Sequence, residues 1–298
     1  MGHHNHHIRS QNKLLLSIIL NVGITLSQVV GGILSGSLAL LSDALHNFTD
    51  VISLLISYIA SIFSRKNASP QKTFGYKRAE ILAAFINALS LIVIAIILIT
   101  EAVERFIHPQ TIQPNIVIIL SVVAILGNGF SVWLLKEDSS KNMNMKSAYL
   151  HLFTDMLASV AVLIGGLLIK YYQFYWTDSV LTLCIALYLI VMSWDLLKKS
   201  YRVLMLFTPK ELNVDDIAKT VDALNDVEKL HHIHLWQLNE DEVHLEAHLQ
   251  FKKDIHLSRF DDVLIEIEHL LKEKFNINHV TIQPEFNKKD PKDTIVQD

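Results

Sequence analysis

The sequence predicts an all-α bundle of six transmembrane helices followed by a small C-terminal α+β domain. Hydrophobic residues make up 51% of the 298 residues, which suits either two soluble domains or a membrane bundle with an appendage. The distribution of charge favours the bundle, because long uncharged stretches dominate the chain up to residue 207 and a mixed, charged sequence follows. We therefore predict three regions: an N-terminal tail (1–13), a membrane domain (14–207) and a C-terminal domain (208–298).

Each predicted helix crosses, or nearly crosses, a bilayer. The hydrocarbon core is ~30 Å thick, which takes about 20 helical residues. The stretches without charge are 14–42, 81–100, 116–135 and 179–194, and those with only a few ionisable residues are 38–63 and 147–169. The last span is short, but Tyr175, Trp176 and Trp194 are typical interfacial anchors. The first is too long for the apolar core of a signal peptide, so we expect it to remain as the first span.

Basic residues predict the orientation of the bundle, because short loops rich in Lys and Arg stay on the cytoplasmic side. They are concentrated before helix 1, between helices 2 and 3, between helices 4 and 5, and after helix 6. Both termini should therefore be cytoplasmic, in a protein of the cell (inner) membrane. The basic residues are Arg9, Lys13, Arg65, Lys66, Lys72, Lys77, Arg78, Lys136, Lys141, Lys146, Lys198, Lys199 and Arg202.

The C-terminal region reads as helix, strand, strand, helix, strand. Apolar residues recur at helical spacing over 214–224, after a possible Asn213 cap, and over 260–275. Alternating segments at 230–238 and 243–251 flank a predicted turn at 239–241, and 277–282 is rich in β-branched residues. The αββαβ order predicts a two-layer domain. This region carries 20 acidic and 11 basic residues, a net charge of −9, which disfavours nucleic acid as a partner.

Two pentads inside the membrane domain carry the functional signal. His46-Asn47-Phe48-Thr49-Asp50 and His151-Leu152-Phe153-Thr154-Asp155 share the pattern H-x-F-T-D. Residues four apart project from one face of a helix, so each pentad presents an imidazole beside a carboxylate. Ionisable groups at membrane depth cost roughly 2.5–3.5 kcal/mol each, which favours a functional role. Two imidazoles and two carboxylates are a reasonable tetrahedral set for Zn²⁺ and would neutralise its charge.

Other polar residues allow more than one interpretation. Asp43 faces the same way as Asp50 and either lines an exit path or is a surface carboxylate. Amide side chains inside helices 1 and 4 hold helices together more often than they touch an ion, and here they are Asn21, Gln28 and Asn128. Cys184 cannot form an internal disulfide, and we expect a small buried apolar residue there. The histidines of residues 3–7 form a metal-attracting tract that is either a capture segment or an added tag.

The chain resembles the cation diffusion facilitator family of divalent-metal transporters over nearly its whole length. The resemblance is carried by Ser42–Asp50, by Phe74-Gly75-Tyr76-Lys77-Arg78-Ala79-Glu80, by the second pentad and by two segments of the C-terminal region, Leu230–Trp236 and His279–Glu285. It implies six helices, a ferredoxin-like cytoplasmic domain, a homodimer, and export of Zn²⁺ in exchange for protons, with Cd²⁺ as a further candidate.

The resemblance also implies site residues. His46, Asp50, His151 and Asp155 correspond to the transport site, and His231, His248, His279 and Glu285 to zinc ligands of the cytoplasmic domain. Two departures matter: His232 stands where the family usually has an acidic residue, and 65–73 has no His or carboxylate, so we predict no further site there. Spacing alone leaves a metal site on the C-terminal domain about as probable as ordinary surface histidines.

The expected mechanism is alternating access around this site, driven by competition between zinc and protons. Apolar length alone would place His46 and His151 at different depths. Helix 5 must therefore begin near Lys141, behind an aqueous cavity that reaches His151 and leaves position 147 accessible to thiol reagents.

Three other functions compete with transport. An intramembrane metallohydrolase would need an open zinc position, a general base and usually H-E-x-x-H spacing, which is absent. A haem carrier has no use for the carboxylate four residues after each His. A zinc sensor with a membrane anchor would keep its C-terminal site without transport. We therefore expect a transporter and not an enzyme.

Overall fold

The computed structural model describes the backbone of residues 3–64, 66–139 and 143–296, and side chains within 15–53, 55–56, 58–64, 66–136 and 148–296. Within those residues, six long helices come first, and each contains a stretch long and apolar enough to cross a membrane. They are α1 (His3–Ser35), α2 (Leu38–Ser64), α3 (Ala79–Ile107), α4 (Pro114–Ser139), α5 (Met143–Tyr172) and α6 (Trp176–Leu204). The predicted number and order of the spans are confirmed.

The helices expose their apolar side chains and bury polar ones. Leu126 and Val191 are 68% and 71% exposed, whereas Asn21, Gln28 and Asn128 are buried. This distribution is the reverse of that in a water-soluble bundle, because lipid solvates the outer apolar surface and the polar groups must find partners inside. The protein is an integral membrane protein.

Helical structure extends past the apolar stretches because backbone hydrogen bonding does not require apolar side chains. Helix α6 has 29 residues and continues well beyond Trp194. Helix α5 begins at Met143, four residues before its apolar stretch, so it starts early, as the meeting of the two pentads requires. Lys141 lies outside the described residues, and so do the side chains of α5 before residue 148. Helix α1 already begins at His3, so the backbone of the predicted tail is largely helical.

The turn between α1 and α2 is held by residues from later helices. Gly36 takes a positive φ of 72°, which permits a two-residue connection. Asp178 at the start of α6 accepts a hydrogen bond from the backbone N–H of Leu38 at 2.7 Å and so caps α2 from another helix. Arg105 of α3 donates to the Gly36 carbonyl at 2.6 Å. Contacts between residues that are 69 and 140 positions apart in the chain therefore fix the start of α2. The position of the pentad on α2 is fixed with it.

Two expectations for single side chains in the bundle are corrected. Cys184 is exposed on the outward face of α6, so burial inside the protein was the wrong expectation. Hydropathy distinguishes apolar from polar positions but does not distinguish a lipid-facing site from a packed one. Asp43 is only 1% exposed, so the interpretation as a surface carboxylate is excluded.

The residues group into two compact units, Met1–Tyr58 with Ile86–Leu196, and Ile59–Phe85 with Leu197–Asp298. In the second unit, residues after 208 fold in the predicted αββαβ order. The elements are α7 (Val214–Asp222), β1 (Val227–Gln237), β2 (Val243–Phe251), α8 (Leu257–Phe275) and β3 (His279–Glu285). The sheet order is β1-β2-β3, with β1 antiparallel and β3 parallel to the central strand.

Local sequence signals account for the details of this domain. Asn213 caps α7 by accepting from the N–H of Asp215, as predicted. Asn239 accepts from the N–H groups of Asp241 and Glu242 and so closes the predicted hairpin between β1 and β2. The two helices pack against the sheet around a core of fully buried side chains, which include Ile217, Val221, Leu230, Leu249, Ile267 and Leu271. The predicted two-layer α+β domain is confirmed, and the αββαβ order is the one expected of a ferredoxin-like domain.

Candidate metal centres

The structure brings the two membrane pentads together. Nδ1 of His46 lies 3.7 Å from Oδ2 of Asp50, within its own pentad on α2. Nε2 of His151 on α5 lies 3.4 Å from the same Asp50 oxygen and 3.6 Å from Oδ2 of Asp155. Asp50 therefore links the pentads across two helices whose sequence positions are about a hundred residues apart. We refer to these four residues as the membrane quartet.

The separations within the quartet match metal ligands better than hydrogen bonds. They exceed the usual donor–acceptor range of about 2.7–3.2 Å. Ligands at about 2.0–2.1 Å from a tetrahedral Zn²⁺ lie roughly 3.3 Å from one another. The facing atoms of His46, Asp50 and Asp155 have no hydrogen-bond partner among the described residues although each atom is buried. The quartet therefore consists of polar atoms that converge on one another without being satisfied by the protein.

The quartet is more open on the side of His151. That side chain is 41% exposed, whereas the side chain of Asp155 is 1% exposed. The rings of His46 and His151 stand 6.2 Å apart, nearly perpendicular. An ion could therefore approach past His151 and meet the buried carboxylate behind it.

One neighbour of the quartet was not anticipated from the sequence. The ring of Tyr188 on α6 packs edge-on against His46, with centroids 6.4 Å apart. A third helix therefore orients an imidazole of the quartet. Tyr188 lies in an otherwise apolar span with no motif around it, so no sequence signal pointed to it.

A second group lies in the C-terminal domain, where His231, His248 and Glu285 have one ligand atom each within 4.8 Å of one another. We call it the C-terminal triad. Nε2 of His231 is 3.2 Å from Oε2 of Glu285, and Nδ1 of His248 is 2.9 Å from Oε1. The strand register explains why the three side chains meet. His231 on β1 pairs with His248 on β2, and Gln250, two residues after His248 on the same strand, pairs with Glu285 on β3.

A bulge in β1 lies directly after His231, the first residue of the triad. The register shifts between His231 and His234, and His232 takes a φ of 50°. Bulges re-aim side chains, and here His231 is completely buried while the following residue is only half-buried. The ring of His232 then packs 4.5 Å from that of His248. The backbone N–H of His232 donates to the carbonyl of Asp293, which ties the segment after β3 to the bulge.

That segment carries two lysines into the triad. The ammonium of Lys292 lies 2.7 Å from Oε2 of Glu285 and 3.2 Å from Nε2 of His231. Lys288 donates to Oε1 of Glu285 at 2.6 Å. The positive charge that a metal ion would supply is therefore supplied by the protein's own ammonium groups. Neither lysine was recognisable from the sequence, because their approach depends on the path of the chain after β3.

The surroundings keep the triad in the protonation state that binds metal. Although burial opposes ionisation, hydrogen bonds from Lys288 and Lys292 hold the pKa of Glu285 down to about 2. Burial, reinforced by the charge of Lys292, lowers the pKa of His231 below its ordinary value. Burial likewise lowers the pKa of His248. Two neutral imidazoles and one carboxylate are the forms in which these side chains ligate Zn²⁺.

The structure does not bring His279 to the triad. His279 begins β3 and pairs with His244, with ring centroids 4.4 Å apart. Glu285 ends the same strand six residues later, which corresponds to about 20 Å at ~3.3 Å per residue. One ion therefore cannot contact both residues in this arrangement. The sequence motif contains both, but an extended strand separates its two ends.

Comparison with known proteins agrees with this architecture. The cation efflux transmembrane domain matches residues 14–205, and the cation efflux protein cytoplasmic domain matches residues 209–286. The chain is 35% identical over 287 residues to the cadmium, cobalt and zinc/H(+)-K(+) antiporter of Bacillus subtilis, covering 96% of this chain and 92% of that protein.

Two further relatives extend the comparison to other bacteria. The metal cation efflux system protein CzcD of Cupriavidus metallidurans is 34% identical, with 96% of this chain and 90% of that protein covered. The zinc transporter ZitB of Escherichia coli is 36% identical, with 96% and 91% covered. The resemblance read from the pentads is confirmed, and the protein belongs to the cation efflux, or cation diffusion facilitator, family of membrane metal transporters.

Proposed function

We propose that the protein exports Zn²⁺, with Cd²⁺ as a second substrate, in exchange for protons, and that the membrane quartet binds the ion in transit. One observation carries the proposal: Oδ2 of Asp50 lies 3.7 Å from His46 and 3.4 Å from His151, and both imidazoles belong to H-x-x-x-D pairs. The relatives named as cadmium, cobalt and zinc antiporters or as zinc transporters support the same substrates. Imidazole ligands also favour Zn²⁺ over Mn²⁺.

Exchange follows from the chemistry of the ligands. Each imidazole must be neutral and each carboxylate ionised to bind the ion, so protons and Zn²⁺ compete for the same four side chains. Two carboxylates neutralise the divalent charge, which reduces the cost of holding it in the membrane. A more acidic exterior would protonate the imidazoles and expel the ion, and the return of protons to the cytoplasm would restore the empty site.

Alternating access around the quartet would complete the cycle. Both termini would face the cytoplasm, as the predicted excess of basic residues on that side suggests. The protein would work as a homodimer in the cell membrane. The C-terminal triad would bind a second Zn²⁺ through two nitrogens and one oxygen, after the ammonium of Lys292 has moved aside. An ion there would neutralise part of an acidic domain and add to its stability.

The alternative functions are less well supported. A metallohydrolase uses an activated water and a general base beside the zinc, whereas the four side chains of the quartet would fill a tetrahedral zinc and leave no position open for water. A zinc sensor is the alternative that the flux experiment must exclude, because the C-terminal triad could bind zinc in a protein that transports nothing. It predicts zinc binding in the absence of flux.

A flux assay separates these functions. The purified chain is reconstituted in proteoliposomes, and uptake of ⁶⁵Zn²⁺ is followed with an imposed pH gradient, a potassium gradient, or neither. We expect uptake driven by the pH gradient and abolished by Asp155→Ala. A wild-type protein that binds zinc but gives no uptake with either gradient would refute transport and favour the sensor.

A further inference from the structure

A buried carboxylate outside the quartet joins three helices of the bundle. Asp43 of α2 is 1% exposed and accepts a hydrogen bond from Nε2 of Gln28 on α1 at 2.8 Å. The hydroxyl of Ser159 on α5 donates to the same carboxylate oxygen, Oδ2, at 3.3 Å. These three residues, which we call the Asp43 cluster, are more extensively paired than the quartet. One polar atom of the cluster nevertheless has no hydrogen-bond partner among the described residues.

Unpartnered polar atoms accompany the cluster. The carbonyl oxygen of the Gln28 side chain has no hydrogen-bond partner among the described residues, and neither amide atom of Asn47 has one. Asn47 is completely buried. Lipid offers no hydrogen bonds, so burial of such atoms is costly unless water or an ion meets them. The interior around Asp43 is therefore suited to a hydrated species.

The cluster continues the polar face of the quartet. Asp43, Asn47 and Asp50 are spaced by four and three residues on α2, and Asp155 and Ser159 by four residues on α5. These spacings keep each set on one helical face. Asp43 lies about 10 Å along the axis from Asp50, towards the start of α2. A buried polar face thus leads from the quartet towards the end of the bundle at which α2 begins, which the predicted topology assigns to the exterior.

We propose that Asp43, held by Gln28 and Ser159, is a transit position that receives the divalent cation from the membrane quartet on its way to the exterior. This inference rests on the proposed function. The cluster offers one carboxylate with amide and hydroxyl oxygens and no imidazole, so it would hold Zn²⁺ weakly and with part of its water shell. A position of that kind suits passage, because an ion must be bound well enough to enter and weakly enough to leave.

Replacement of the carboxylate tests the proposal. Asp43→Asn keeps the shape of the side chain and an oxygen that can accept from Gln28 and Ser159. In proteoliposomes we expect the maximal rate of zinc transport to fall at least about tenfold, with the KM, the dissociation constant for zinc and the Tm unchanged. The matched control is Ser42→Ala, because the Ser42 hydroxyl donates only to the Leu38 carbonyl of its own helix. The control should transport at the wild-type rate.

The outcomes are distinct. A wild-type protein without zinc transport would refute the proposed function itself. A functional wild type whose Asp43→Asn variant transports equally fast would refute only the transit position. A variant with weakened zinc binding or a lowered Tm would also refute it, since Asp43 would then support the quartet or the fold.

Thiol labelling covers the case in which the Asn variant fails to fold. Asp43→Cys in a Cys184→Ser background introduces one cysteine, because the chain contains no other. A charged methanethiosulfonate should label it during turnover from the exterior side, and Zn²⁺ should slow that labelling. Absence of labelling from both sides, or labelling that Zn²⁺ does not affect, would overturn the proposal.

Discussion

Nε2 of His151 lies 3.4 Å from Oδ2 of Asp50, and this contact joins two pentads that are otherwise independent motifs on separate helices. Each pentad alone offers two ligands, which is too few to hold a divalent ion in the membrane. Together they offer four ligands and two negative charges. The consequences of this arrangement, and of the lysines in the C-terminal triad, can be tested separately.

Removal of the most buried quartet carboxylate should abolish transport. Asp155→Ala leaves three ligands and a single negative charge, so we expect zinc flux to fall by at least about a hundredfold, in line with the loss of a group that acts as part of a unit. The control is Thr154→Ala, because the Thr154 hydroxyl donates to the Leu150 carbonyl within its own helix. Flux of ⁶⁵Zn²⁺ in proteoliposomes is the measurement. A variant with more than a tenth of the wild-type flux would contradict this role.

Lys292 should weaken metal binding at the C-terminal triad. Its ammonium lies 2.7 Å from Glu285 and 3.2 Å from His231, where it competes with any incoming cation. We expect Lys292→Gln to tighten zinc binding by about tenfold, because a charge in a partly buried site contributes on the order of 1.4 kcal/mol or more. Calorimetric titration in an Asp155→Ala background, with the histidines of residues 3–7 also replaced by alanine, reduces the signal from zinc sites outside the C-terminal domain.

Lys289→Gln is the matched control for that titration. It removes one lysine from the same segment, but Lys289 is not among the groups in contact with Glu285. The control should bind zinc as the parent does. An affinity of Lys292→Gln equal to that of the control would mean that the lysine does not compete with metal.

His279 should be dispensable for the triad. It lies at the opposite end of β3 from Glu285, about 20 Å away, and packs against His244. We expect His279→Ala to leave the affinity of the triad unchanged, whereas His248→Ala should weaken it strongly. Zinc titration of both variants, again with Asp155→Ala, makes the comparison. Equal losses in both would support His279 as a ligand, as the family resemblance implies.

Acid should destabilise the C-terminal domain in two steps. The pKa values of His231 and His248 are lowered by burial, so the unfolded chain takes up protons first as the pH falls below about 6.5. The Glu285 pKa is lowered from 4.5 to about 2, so its contribution is present above pH 4.5 and is lost as the pH falls from there towards 2. Both effects have the same sign, and stability should decline with decreasing pH throughout.

Scanning calorimetry of the full chain with a zinc chelator should follow this decline through the Tm of the C-terminal domain. Glu285→Gln should reduce the loss of stability below pH 4.5, to which Asp226 and Asp290, whose pKa values are also lowered by neighbouring cations, still contribute. It should keep the step that begins near pH 6.5. A Tm that rises as the pH falls from 6.5 to 5 would contradict the lowered imidazole pKa values.

Much of the fold was predictable because it depends on local periodicity. The six spans follow from apolar length, and the αββαβ order follows from helical and alternating patterns. Even the early start of α5, at Met143, followed from the need of the pentads to meet. The boundaries of α6 were not predictable, because a helix continues into polar sequence without any change in its hydrogen bonding.

The candidate sites were predictable only in part. The four quartet residues were identified because an imidazole and a carboxylate four residues apart are conspicuous in an apolar helix. Tyr188 was missed because packing between α2 and α6 brings it to His46. Lys288 and Lys292 were missed because the path of the chain after β3 brings them back to Glu285. His279 and Glu285 share one motif, yet the strand that carries them holds them apart.

The sequence by itself determined which segments cross the membrane, which helical faces carry the paired imidazoles and carboxylates, and the order of elements in the C-terminal domain. All of these depend on the spacing of residue types along the chain. Only the tertiary structure decided that Asp50 bridges two histidines, that Asp43 is buried against α1 and α5, and that Lys292 fills the place of a cation beside Glu285. The contacts of Asp50 and Asp43 join residues up to 116 positions apart, and close packing of whole helices, rather than local spacing, determines which of them form. The position of Lys292 depends on the path of the chain after β3.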